Sequence, residues 1–320
     1  MKKTERLVFF YDLAIDAESR TFKAPKPISV RKAFKLMELV PQEQRIKDMA
    51  KGREQLYVSD WKRDGDIISI LVNKSDKGIS DPVFTIPKEK KRRTAEKQEQ
   101  EGQDFSVHIV VQLPQDDLDP ALVLMEHCTG LGMFVVQRLF NQILRDAKTL
   151  SPQDFEQNHP DGAVDDVGNP KKYNVIFKCQ FDGHISDDLK YDLDNGKIQS
   201  IELITEKEKY TNIDEDGYIQ EKCKTLVLTL KDEDNPIRDK FNRIKNVFTK
   251  KKNDYSRARI KFKTPNGVDR TVEMDTDAAS AQGYVKKEKL DNFEFDLKSS
   301  YEEFSDVFLG RMKELLVQEA

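Results

Sequence analysis

Apolar residues recur at two periods along this chain, and the switches between them mark its elements. Residues 7–13 form a β-rich run and read as a first strand. Val30, Ala33, Phe34, Met37 and Val40 fall at helical spacing behind a capping Ser29, and Pro41 ends them. Two β-rich runs, 56–61 and 67–72, flank Arg63-Asp64-Gly65-Asp66, an Asp-Gly hairpin signal. Val83–Ile86 adds a short strand. From 87 to 104 the pattern breaks. Its Glu/Gln/Lys tract and five clustered cations (Lys88, Lys90, Lys91, Arg92 and Arg93) predict a solvated, mobile loop or linker.

The apolar pattern resumes as a strand over 107–113. Asp119-Pro120 suits a helix start, so the apolar run 121–128 is expected as a helix. After Gly130 and Gly132, the stripe Met133, Phe134, Val136, Leu139, Phe140, Ile143 and Leu144 predicts a second helix. This pair is the most apolar region, either the central core or an interface for a second copy. Strands are expected over 173–181, 198–205 and 218–230. A helix over 236–249 follows, then a strand over 255–263 and a Pro265-Asn266-Gly267 turn into 268–274. A helix over 299–317 closes the chain, with Phe304, Val307, Phe308, Met312 and Leu315 on its apolar side. The sum is an α+β fold of two lobes, mostly antiparallel sheet with packed helices. The expected division is an N-terminal lobe over 1–86, a charged linker over 87–104 and a larger lobe over 105–320.

Composition narrows the class. With 320 residues, 37% hydrophobic and 35% charged, the chain can bury a core and is not wholly disordered. No apolar run approaches the ~18 residues of a membrane helix, and the N-terminus reads as a strand and not a signal peptide. Cys128, Cys179 and Cys223 are odd in number and widely spaced, so buried thiols in a reducing cytoplasm are expected.

Charge changes the picture most. Residues 238–263 hold eleven cations against Asp239 and Asp254, a net +9 inside a chain of net −4. Such segregation suits a polyanion. Ile237, Phe241, Ile244 and Phe248 recur at helical spacing and read as the buried face of the 236–249 helix. In the strand that follows, Arg257, Arg259, Lys261 and Lys263 alternate with Ala258, Ile260 and Phe262, which places the four cations on one face. A ladder of like charges repels itself and needs an anion, an acidic neighbour or water. Rigidity ranks these strand cations above the cluster at 88–93, which must be ordered before it can bind.

Catalytic patterns are missing. There is no P-loop, no G-x-S-x-G elbow, no H-x-x-x-H and no C-x-x-C, so no enzyme, cofactor or metal site is expected. The acidic turns 192–196 and 214–217 fall short of a calcium loop and read as hairpin turns. Asp161, Glu206 and Lys207 could enter a metal-nuclease site only by converging from afar.

Three stretches resemble the temperate-phage exclusion family of RexA. They are the Leu56-Tyr57-Val58 hairpin with its lysine-rich exit Asn73-Lys74-Ser75-Asp76-Lys77, the strand 225–230 running into the basic helix 237–252, and Tyr255-Ser-Arg-Ala-Arg-Ile-Lys-Phe-Lys with the hairpin and aromatic C-terminal helix after it. The resemblance implies a dimeric, sequence-tolerant DNA-binding protein of phage defence or prophage maintenance, with a possible second defence protein as partner. From charge and spacing, Arg243, Lys245, Lys250, Lys251, Lys252, Arg257, Arg259, Lys261 and Lys263 are the candidate contacts to duplex DNA phosphates. The alternative is an interaction module whose basic face docks an acidic partner or its own acidic segment 182–234, which is net −8. A metal-dependent nuclease is the third reading.

Overall fold

A computed structural model describes residues 2–117, 119–164, 166–184, 186–205, 224–230, 240–251, 254–255, 257–275 and 285–319. Its elements in chain order begin β1 (Arg6–Glu18), α1 (Val30–Glu38), β2 (Ile46–Met49), β3 (Glu54–Asp64), β4 (Ile67–Asp76), β5 (Val83–Ile86), β6 (Lys91–Thr94), β7 (Gln103–Gln112), β8 (Ala121–Glu126) and α2 (Met133–Leu150). They continue β9 (Glu156–Asn158), β10 (Lys172–Asn174), β11 (Ile176–Gly183), α3 (Asp187–Asn195), β12 (Lys197–Thr205), β13 (Lys224–Leu228), α4 (Lys240–Lys251), β14 (Arg257–Lys263), β15 (Asp269–Asp275), β16 (Lys287–Leu290) and α5 (Asp306–Glu319). The architecture is α+β with mostly antiparallel sheets.

Two compact units divide the chain, one of residues 1–181 with 288–320 and one of residues 182–287. The expected boundary at 87–104 is therefore not where the chain divides. The reason is pairing: β4 and β7 run antiparallel from Ile67↔Gln112 to Asp76↔Gln103. Residues 77–102 are the long loop of one hairpin inside the first unit.

The sheet of the first unit has the order β11-β1-β8-β7-β4-β3-β2, with β16 on β1. Strand alternation sorts its residues onto two covered faces. Leu13, Ile15, Ile68, Ile70, Val72, Val107, Ile109, Val111, Val123 and Met125 pack with Phe34 and Met37 of α1 and Leu139, Phe140 and Ile143 of α2. Ser29 caps α1, its hydroxyl accepting from the Lys32 N–H. The opposite face puts Val8, Phe10, Val110 and Leu124 under Phe308, Leu309, Met312 and Leu316 of α5. The Asp-Gly turn between β3 and β4 forms as expected, with Gly65 at φ +59°.

Three expectations fail locally. Residues 121–126 form strand β8 and not a helix; Val and Leu positions buried on both sheet faces read as one continuous apolar run, which periodicity cannot assign. The acidic run expected as a hairpin turn at 192–196 instead ends helix α3, which Ser186 caps and Gly196 terminates. The last helix starts at Asp306, later than expected, because 299–305 are spent on contacts with β7. Residues 218–223 of one expected strand, the turn 214–217, and 236–239 of the basic helix lie outside the described residues.

Those contacts form a buried polar strip under the C-terminal segment. Arg6 Nε donates to Glu126 Oε1 at 2.9 Å, and His108 Nδ1 lies 2.8 Å from Glu126 Oε2. His108 Nε2 accepts the Ser305 N–H at 3.1 Å, so the ring proton belongs on Nδ1. The Arg6, Glu126 and His108 side chains are almost wholly buried. Asn73 Nδ2 donates to Asp104 Oδ2 at 2.7 Å and to the Tyr301 carbonyl at 2.9 Å.

Candidate nucleic-acid interface

In the second unit, β13-β12-β14-β15 form a four-stranded sheet. Its inner face packs Ile201, Leu203, Ala258, Ile260, Phe262 and Val272 against Leu189 and Leu193 of α3 and Phe241, Ile244 and Phe248 of α4. The alternation expected for β14 holds: Ala258, Ile260 and Phe262 are buried, and Arg257, Arg259, Lys261 and Lys263 share the other face.

This geometry separates the proposed contacts. Helix α4 lies on the apolar side of β14, so its outward cations point away from the face that carries Arg257 to Lys263. Arg243, Lys250 and Lys251 are exposed on α4, and among the described residues no carboxylate pairs with them. Lys252 lies outside the described residues, and nothing is described of the Lys245 side chain. The basic segment therefore builds two surfaces on opposite sides of one unit, not one groove.

The ladder on β14 also meets acids of its own sheet. In register, Arg259 stands between Glu202 of β12 and Glu273 of β15. Arg259 Nη1 lies 3.2 Å from Glu202 Oε2, Arg259 Nε 2.5 Å from Glu273 Oε1, and Lys261 Nζ 2.7 Å from Glu202 Oε1. Lys261, and then Arg259, hold the Glu202 carboxyl below the usual carboxylate range, while Glu273 foremost raises Arg259. Lys263 is exposed and stands in register with Asp269 on β15 and Lys197 on β12. A phosphate approaching Arg259 or Lys261 must compete with carboxylates already in place.

The segment expected to be a mobile linker is a built element. β5 and β6 pair antiparallel as Val83↔Thr94, Phe84↔Arg93, Thr85↔Arg92 and Ile86↔Lys91. A turn at Pro87–Glu89 closes them, with Lys90 at φ +52°. Every residue of the ribbon and its turn is exposed. The root is tied down. The Ala95 N–H donates to the Pro82 carbonyl at 2.9 Å, and Lys97 Nζ lies 3.2 Å from Asp81. Gly102 passes so close to β4 that a Cβ there would lie 2.8 Å from the Asp76 nitrogen.

Charge on this arm is polarised. Residues 83–94 carry five cations against Glu89, a net +4. The root, 77–82 with 95–102, carries Lys77 and Lys97 against Asp81, Glu96, Glu99 and Glu101, a net −2. Glu89 pairs with Lys91 at 2.8 Å. The Arg93 guanidinium sits 4.8 Å over the Phe84 ring. The field of the arm is therefore positive at the far end of the ribbon and negative at its base. The sequence signal was present in two halves, the β-rich Val83–Ile86 and the Lys-Arg-Arg run. What hides the ribbon is that both strands lack a buried face, the feature periodicity detects.

Of the other candidate residues, only Asp161 lies among the described residues. Asp161 pairs with His159, whose ring meets Phe22 edge-on at 4.4 Å, while Glu206 and Lys207 lie outside the described residues. Among the described residues no group of three or more His, Cys, Asp or Glu could hold a metal, and no helix is long and apolar enough to cross a membrane. Cys128 and Cys179 are buried free thiols, which burial pushes up to about 11 and about 12. No family model, no curated protein and no solved structure matches this chain.

Proposed function

We propose that this protein binds nucleic acid, duplex DNA in the first place, through phosphate contacts made with little sequence choice. The observation that carries this reading is the arm: a two-stranded ribbon, exposed throughout, with a net +4 on its outer part and an acidic root. An exposed ribbon of this kind can reach into a groove of B-DNA, and clustered Lys and Arg release counterions from phosphates. Arg243, Lys250 and Lys251 on α4 are a second exposed cationic surface, on the other unit. The phage-defence setting, a homodimer and a second defence protein belong to the proposal through the resemblance to the RexA family, and a cytoplasmic location through the sparse, widely spaced cysteines.

A gel shift with duplex DNA, single-stranded DNA and RNA tests it. Duplex DNA should shift at low salt, and replacing 83–94 by a short Gly-Ser turn should abolish most of the shift. No shift with any of the three would end the proposal.

One observation favours the rival reading for β14 alone. Glu202 and Glu273 occupy Arg259 and Lys261, two of the cations expected to contact DNA, so the middle of that face is first a set of ion pairs within the sheet.

A further inference from the structure

The arm carries apolar side chains that phosphate binding does not use. Val83, Phe84 and Ile86 are 57%, 53% and 51% exposed, on a ribbon that buries neither face. Pairing places Phe84 opposite Arg93 and Ile86 opposite Lys91, so one face of the ribbon alternates apolar side chains with cations. Arg93 already covers the Phe84 ring. Ile86 and Pro87 sit at the turn, ahead of Phe84 and beyond the root's acids.

A partner that complements this face needs an apolar surface a few ångströms wide, walled by negative charge on both sides. An acidic protein surface offers the charge without the narrow apolar floor. The groove of duplex DNA offers both, since phosphates line its edges and sugars and stacked bases lie between. Apolar side chains such as Ile and Pro entering the minor groove part base steps and kink the duplex. A-form RNA does not fit as well, because its minor groove is wide and shallow.

We infer that the arm is a bending device: Ile86 and Pro87 wedge into the minor groove of duplex DNA while Lys88, Lys90 and Arg93 hold the phosphates of one edge and Arg92, on the ribbon's other face with Thr85, those of the opposite edge. This rests on the DNA-binding reading above. It further assigns a groove, a base-step wedge and a deformation of the ligand. Such a wedge chooses deformable steps over particular bases, which agrees with sequence tolerance.

The test uses the full chain and a duplex labelled at both ends for energy transfer, with 2-aminopurine near its centre. Wild-type protein should shorten the end-to-end distance and raise 2-aminopurine fluorescence. Ile86→Ser with Pro87→Ser should lose both signals and weaken binding about tenfold, while keeping the wild-type salt dependence. Lys90→Gln with Arg92→Gln should instead flatten the salt dependence. These residues are exposed, so the variants should melt like the wild type, and a melt checks it. DNA bound without bending, or bent equally by the serine variant, would overturn the wedge and leave DNA binding standing. Absence of binding to any duplex would overturn both.

Discussion

Neutralising Lys90 and Arg92 should weaken DNA binding far more than neutralising Arg259 and Lys261. Both double variants to glutamine remove two positive charges, so long-range attraction changes equally. The local states differ. Lys90 and Arg92 stand on an exposed ribbon whose order is already set by the tied root, so few residues remain to be fixed at ~1–2 kcal/mol each when phosphate arrives. Arg259 and Lys261 are held by Glu202 and Glu273, and a phosphate gains only what it takes from those carboxylates. Counterion release gives about 1.2 kcal/mol per phosphate contact near ~0.1 M salt, taking ~0.9 ion per contact. Two lost contacts on the arm then cost about 2.4 kcal/mol, or about 60-fold in affinity. The log–log salt slope should fall by about 1.8. If the arm makes about four contacts, wild-type affinity should drop about 150-fold between ~50 and ~200 mM salt. The sheet variant should lose less than about threefold, with an unchanged slope. Fluorescence anisotropy on a labelled duplex across a salt series measures all of this. Equal losses would mean that total charge and not the built arm drives binding. A larger loss from the sheet variant would return the site to β14.

Three further outcomes follow from buried or paired groups. Glu126→Gln should destabilise the protein by about 3 kcal/mol in urea unfolding, because it leaves Arg6 charged and uncompensated inside the fold; a loss under ~1 kcal/mol would refute that role. Glu202, held below the ordinary glutamate value of 4.5, contributes stability that is present above that pH and lost as pH falls through its folded value. Glu202→Gln should therefore flatten the acid limb of the stability curve, and an identical limb would contradict the pairing. In a Cys223→Ser protein neither remaining thiol should react with an aromatic disulfide reagent at neutral pH until denaturant is added, since burial pushes both far up; rapid reaction in the native state would show that one of them opens to solvent.

What could be read beforehand follows from what each pattern physically encodes. Helices α1 and α2 bury one stripe each, so their 3.6-residue period was plain, and the 63–66 turn announced itself through Asp-Gly. β14 was legible because one face is buried and the other charged. Strand β8 was not, since it is covered on both faces. The unit boundary is not legible because low apolar content marks an exposed ribbon as readily as a linker. The decisive fact, the register of β4 on β7, joins residues far apart in sequence. Charge at the candidate site misled in one respect: the net +9 counts residues along the chain, whereas the fold sends α4 and β14 cations to opposite sides and sets Glu202 and Glu273 beside the latter.

The C-terminal segment that covers the second face of the large sheet has a consequence for synthesis. Val8, Phe10, Val110 and Leu124 leave the ribosome long before their cover, Phe308 to Leu316. Between them the ribosome must translate all of residues 182–287, a unit with its own core. The inserted unit can thus fold while its host still shows a bare apolar sheet face. At ~5–20 residues per second, that exposure lasts many seconds. Nascent chains halted before residue 288 should therefore be sticky, and a chaperone bound during that window would be released by the arrival of α5.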